Sequence, residues 1–142
     1  MNPSVTLSIS IASPPSAVTA FVADPRNLPQ WAGGFAHAVR QVGDEWRVET
    51  AEGEVGLRFS GPVEHGILDH LVTLAPDLQV YVPMRVVPNE QGSEVMFTLF
   101  QPPAMTEHRL QQDIALVRSD LQRLKQILES EELKDKGLSA EN

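Results

Sequence analysis

His70, with Asp69 beside it, offers the residue types that proton transfer needs: an imidazole that titrates near neutral pH and a carboxylate that could orient it. His70 is the one candidate catalytic residue. Tyr81 and Arg85 could contact a substrate at a rim, and Trp31 could stack on a flat ligand. The chain has no cysteine, which removes disulfides, thiolate nucleophiles and thiolate metal sites. No G-x-S-x-G, G-x-x-x-x-G-K or G-x-G-x-x-G segment occurs, so neither a nucleophile elbow nor a phosphate cradle is written into the chain. Any catalysis would rest on isolated acid-base groups.

The elements that must position these groups follow from periodicity. Val5, Leu7, Ile9 and Ile11 alternate with polar residues as in a half-buried strand. Ser13 before Pro14 and Pro15 reads as the cap of a short helix over 14–23, and Asp24-Pro25 opens a second one that runs to Trp31 before Gly33-Gly34. Six strands follow, at 35–42, 45–51, 54–60, 67–74, 78–87 and 93–101, separated by turn residues. Pro102-Pro103 ends the last one. Thr106 then caps a helix from 107 to about 131, whose stripe is Leu110, Ile114, Val117, Leu121, Leu124 and Leu128. Ala115, Leu116 and Ile127 could widen that face into a cavity wall or a homodimer contact. One α+β domain over 1–131 is expected, a curved antiparallel sheet of about seven strands around the long helix, with a charged, disordered tail over 132–142.

Hairpin pairing assigns the faces. A two-residue turn at Glu52-Gly53 sets Val48 against Leu57 and Trp46 against Phe59. Pairing Ser60 with Ile67 sets Leu57 against His70 and Arg58 against Asp69. A three-residue turn at Ala75 to Asp77 sets His70 against Val82; a slip of two sets it against Met84 and sets Asp69 against Arg85. On either choice Val48, Leu57, His70 and Phe97 share an inner face with Met84 or Val82, while Arg47, Arg58, Asp69 and Arg85 share the outer one. Adjacent strand residues point oppositely, so Asp69 and His70 cannot form a simple dyad. Asp69 reads as an ion partner of Arg58, Arg85 or both. His70 reads either as a satisfied core histidine or as a ligand or proton-transfer contact.

The segment from Ile11 to Trp31, with its Ala-Ser-Pro-Pro opening and Asp24-Pro25-Arg26-Asn27-Leu28-Pro29-Gln30-Trp31, resembles the SRPBCC superfamily, the START-type helix-grip group that includes polyketide cyclases and dehydratases. Gly66-Ile67-Leu68-Asp69-His70, Val82 to Asn89 and Phe97 to Phe100 are further similar to a bacterial subgroup. The likeness spans residues 4 to about 130 and implies the helix-grip fold. It leaves function open among carriers, receptors, enzymes and chaperone cofactors. One departure from the plant ligand-binding branch is the tight turn at Gly43, where that branch has a long glycine-rich loop.

The expected function is binding, transport or sensing of a small hydrophobic molecule in an internal cavity lined by Trp31, Phe35, His37, Leu57, Phe59, His70, Met84 and Phe97. The alternatives are a cyclase- or dehydratase-like enzyme using His70 and a protein-interaction module. His37 shares the apparent face of Phe35 and Val39, but three strands at about 4.8 Å each separate it from His70, too far for a shared metal. No metal and no cofactor are expected. His65 reads as a turn residue, His108 as solvent-facing. A net charge of -8 repels phosphate backbones, so nucleic acid is not an expected partner. With no signal-like segment and no apolar run of membrane length, a cytoplasmic protein without a membrane span is expected.

Overall fold

The computed structural model describes residues 1–137. Strand β1 (Ser4–Ile11) leads into α1 (Pro15–Val22), a 3-10 turn (Pro25–Asn27) and α2 (Leu28–Trp31). Seven strands follow: β2 (Ala38–Val42), β3 (Glu45–Thr50), β4 (Gly53–Phe59), β5 (His70–Ala75), β6 (Leu78–Val82), β7 (Met84–Asn89) and β8 (Gly92–Phe100). The chain closes on α3 (Glu107–Asp135), capped by Thr106, whose hydroxyl accepts from the Arg109 N–H at 3.1 Å. This is the expected α+β helix-grip architecture, with every strand pair antiparallel.

Two ladders build the curve: β1-β8-β7 and β2-β3-β4-β5-β6. They meet at Pro83, which divides the strand expected over 78–87 because proline has no N–H to give to a ladder. The register runs through the break unchanged. His70 faces Val82 and, beyond the break, Ile67 faces Arg85. The Thr98 N–H donates to the Pro83 carbonyl at 3.0 Å, so the two ladders remain bonded at their junction.

Several boundaries differ from expectation for local reasons. Phe35 and Ala36 donate their N–H groups back to the Ala32 carbonyl at 2.9 and 2.8 Å, so the strand expected from 35 begins at Ala38. Ser13 does not cap α1, since Pro14 occupies the cap position and makes no side-chain cap. Ser13 is instead buried, with its carbonyl accepting from Ser93 Oγ at 2.7 Å and holding the start of β8. The β3–β4 turn centres on Ala51-Glu52, with Thr50 Oγ1 donating to the Gly53 carbonyl at 2.7 Å and Gly53 at φ 118°, a conformation suited to glycine. Val48 therefore faces Val55, and Trp46 faces Leu57. That is a slip of two, which leaves every side chain on its expected face.

The core is one cluster between sheet and helix. Leu110, Ile114, Leu121, Leu124 and Leu128 of α3 are buried in it, as the periodicity requires, with Val117 partly buried alongside. The C-terminal half of α3 is tied to β1: Lys125 Nζ donates to the Ser10 carbonyl at 2.7 Å, and Glu129 Oε2 accepts from the Ala12 N–H at 2.8 Å. The N-terminal half is tied to the opposite sheet by an ion pair of 2.8 Å between Arg109 and Glu52 at the β3–β4 turn. The helix continues past residue 131 to Asp135 because no breaker intervenes before Gly137, whose φ is 71°. Residues 138–142 of the expected tail lie outside the described residues.

Candidate functional site: an imidazole on the inner face

The polypeptide around Asp69 and His70 exchanges ladder bonds for side-chain bonds. Leu68 donates its N–H to the Met84 carbonyl at 2.8 Å, and the return bond of an antiparallel pair would run from the Met84 N–H to the Leu68 carbonyl. It is replaced on both sides. Asp69 Oδ1 accepts from the Met84 N–H at 3.0 Å, and His70 Nδ1 lies 2.9 Å from the Leu68 carbonyl.

Asp69 projects outward, as strand alternation requires, yet only 7% of its side chain is exposed. Arg85 grips both oxygens, Nε to Oδ1 at 3.0 Å and Nη2 to Oδ2 at 2.9 Å, and the Tyr81 hydroxyl donates to Oδ2 at 2.6 Å. The Arg85 guanidinium above all, with Tyr81 and the Met84 N–H adding to it, holds the carboxyl well below the usual carboxylate range despite its burial. Arg58 faces Leu71 and takes no part, so of the two expected cation partners Arg85 alone is used.

His70 points inward. A carbonyl can only accept, so Nδ1 carries the proton in this bond and the neutral ring presents Nε2 as a bare lone pair. Nε2 makes no hydrogen bond among the described residues. The ring sits edge-on to Phe59, centroids 5.9 Å apart, and 6.1 Å from Phe97. Burial pushes its pKa down, outweighing the upward pull of the Leu68 carbonyl and the Asp69 charge, so the ring is neutral at pH 7.

The other expected site residues divide. Leu57 and Met84 are buried on the inner face, while Phe35, Phe59 and Phe97 are half-buried against the core. Phe59 pairs across β4–β5 directly with His70, and Met84 pairs with Phe97. Trp31 is 5% exposed, and its indole N–H is buried without a partner among the described residues. His37 does not join them. It is exposed and precedes the first β2 pairing, so the alternation read from Phe35 to Val39 does not extend back to it. Ala115 and Leu116 are exposed, whereas Ile127 is half-buried against the core. Among the described residues no three His, Cys, Asp or Glu side chains converge on a point. Two shallow surface hollows, of about 650 and 480 Å³, open elsewhere and contain neither His70 nor its aromatic neighbours.

Asp120 escaped the sequence. It stands on α3 beside the Gly33-Gly34 turn and, among the described residues, accepts only a long 3.4 Å bond from the Gly34 N–H. The turn passes so close that a Cβ on Gly34 would lie 3.0 Å from Leu116 and 3.2 Å from Asp120 Oδ1. The signal is a docking of α2 on α3, which no local pattern reveals. Burial pushes the Asp120 carboxyl up to about 6. A folded-state pKa above the ordinary 3.8 means the ionised form is disfavoured by folding, so its contribution is lost as pH rises through about 6. Asp120→Asn is expected to stabilise the protein by about 1 kcal/mol at pH 8, discounted for water screening of a half-exposed group, and to change almost nothing at about pH 3, below the ordinary 3.8. Urea unfolding at the two pH values measures the difference; equal effects at both would show that desolvation of the charge is not the cause.

Comparison with solved structures places the fold. XoxI from Bacillus cereus superposes with a TM-score of 0.71 at 17% identity, covering 88% of this chain and 94% of that one. Ara h 8.0201 gives 0.69 at 12% identity, covering 92% and 99%. The di-domain ARO/CYC protein StfQ of the steffimycin biosynthetic pathway gives 0.69 at 13% identity, with 90% of this chain on 45% of that one. The chain has the helix-grip fold of these proteins. No family model and no curated protein sequence matches it. No helix among the described residues is long and apolar enough to cross a membrane.

Proposed function

We propose that the protein binds a small hydrophobic molecule between the β2–β6 sheet and the N-terminal half of α3. The observation that carries this reading is the state of the inner face around His70. Phe59, His70 and Phe97 point inward yet keep accessible surface, which requires room beside them for at least a water molecule. An apolar wall carrying an uncommitted imidazole lone pair suits a ligand site better than a finished core, where such an atom would find a partner. Leu57 and Met84 form the floor, and Trp31 and Phe35 flank the Gly33-Gly34 turn.

A second reading, an enzyme of the cyclase or dehydratase kind, draws on the same atom, because a neutral Nε2 can take a proton. StfQ, a di-domain ARO/CYC protein of the steffimycin biosynthetic pathway, has this fold. The two readings part on one variant. A neutral naphthalene dye is expected to bind with little salt dependence, because the inner face carries no cation or anion. His70→Gln is expected to weaken the binding by about two- to thirteenfold, the range of one neutral hydrogen bond. Dye fluorescence that rises only on unfolding overturns the binding reading. Turnover of a polyketide-like substrate that falls a hundredfold or more in His70→Gln, with binding intact, would make the protein an enzyme.

A further inference from the structure

We infer that the inner-face site selects neutral apolar molecules that carry a hydrogen-bond donor, phenols or alcohols, over their ethers and over carboxylic acids. This rests on the binding reading above and adds the chemistry of the ligand's polar group. Leu68 fixes the direction of recognition: its carbonyl takes the Nδ1 proton, so the imidazole can only accept at Nε2. Phe59 and Phe97 flank the ring and supply no competing donor. A ligand O–H placed there regains the hydrogen bond it leaves in water; an ether oxygen would meet a lone pair with a lone pair.

A carboxylate is disfavoured by charge. The cations near this part of the sheet project from the other face: Arg85 is committed to Asp69, Arg58 is exposed, and Arg47 pairs with Glu45. The inward positions of α3 opposite, Leu110, Ile114 and Val117, are apolar. An anion entering this space would lose its hydration with no counter-charge, and the net charge of -8 repels it beforehand.

Three probes on one ring system test the inference: 2-naphthol, 2-methoxynaphthalene and 2-naphthoate, titrated at pH 7.5 by calorimetry. The expected result is 2-naphthol tighter than each of the others by about tenfold, the worth of one neutral hydrogen bond. His70→Phe keeps the aromatic bulk and removes the lone pair; it should abolish the preference for 2-naphthol over 2-methoxynaphthalene while leaving the affinity for the ether in place. Naphthoate binding as well as naphthol, or a naphthol preference that survives in His70→Phe, overturns the selection. Binding of none of the three overturns the reading beneath it. Nitrogen-15 spectra of the unmutated protein serve if the variant does not fold: saturating 2-naphthol should move the Nε2 resonance of His70 and 2-methoxynaphthalene should not, and an Nε2 signal unmoved by bound naphthol sinks the proposal.

Discussion

Asp69→Ala is expected to destabilise the protein by about 3 kcal/mol, the range for breaking a buried ion pair by removing one member. The carboxylate does two jobs at once. It is the acceptor for the Met84 N–H at a rung where the natural acceptor, the Leu68 carbonyl, is already taken by His70. It is also the anion for Arg85 and the acceptor for Tyr81. Alanine leaves the Met84 N–H without an acceptor next to a side chain that is 1% exposed. Arg85→Ala should cost less, because 48% of the arginine side chain is in water and the remaining carboxylate keeps two donors. The pH dependence follows from the depressed carboxyl. Its stabilisation is present in full above the ordinary value of 3.8 and is lost as pH falls toward the much lower folded value. Acid unfolding should therefore be shallower below pH 4 in Asp69→Asn than in the parent, as urea midpoints across pH 2 to 7 would reveal. An Asp69→Ala midpoint equal to that of Arg85→Ala would mean that the broken rung contributes nothing.

That rung also shows what the sequence could and could not disclose. The faces were legible, because turn errors of two residues preserve side-chain parity: Val48 pairs with Val55 where Leu57 was expected, and both point inward. Thus His70 and Phe97 fall on the inner face, and Asp69 with Arg85 on the outer one, although the β3–β4 and β4–β5 registers differ from the expected ones. The tautomer of His70 was not legible. It depends on a missing ladder bond, and the ladder is interrupted next to Pro83, inside a segment whose alternation reads as one strand. His37 misled for the opposite reason: the alternation is present in the residues, but backbone bonds to Ala32 hold Phe35 and Ala36 in a turn, and the β2 pairing starts only at Ala38. Asp120 required knowledge of which helix faces Gly34. Periodicity gives the buried stripe of α3 and says nothing of the neighbour that covers its flank.

Leu121→Ala is expected to lower stability by about 3 kcal/mol, within the 2 to 5 observed for buried leucines in general. Leu121 is 2% exposed and sits where α3 changes neighbours. C-terminal to it the helix is fastened to β1 by Leu124, Leu128, Lys125 and Glu129. N-terminal to it the helix spans the inner face, with Val117 only partly buried and the Arg109–Glu52 pair at the far end. The lost side chain leaves a void that the surrounding backbone, bonded on both sides, cannot close, which adds a cavity cost to the lost burial. Arg109→Ala is the contrast. Both partners of that pair are about half-exposed or more, so its loss should cost well under 1 kcal/mol. If the space beside His70 takes a ligand, the arginine variant should leave the urea midpoint nearly unchanged while hastening release of a naphthalene dye, because the clasp spans the gap between helix and sheet. The leucine variant should shift the midpoint strongly. Denaturation midpoints for both variants, with dye dissociation rates for Arg109→Ala, separate the part of α3 that holds the fold together from the part that covers the inner face. A large stability loss in Arg109→Ala, or a negligible one in Leu121→Ala, would reverse that division of the helix.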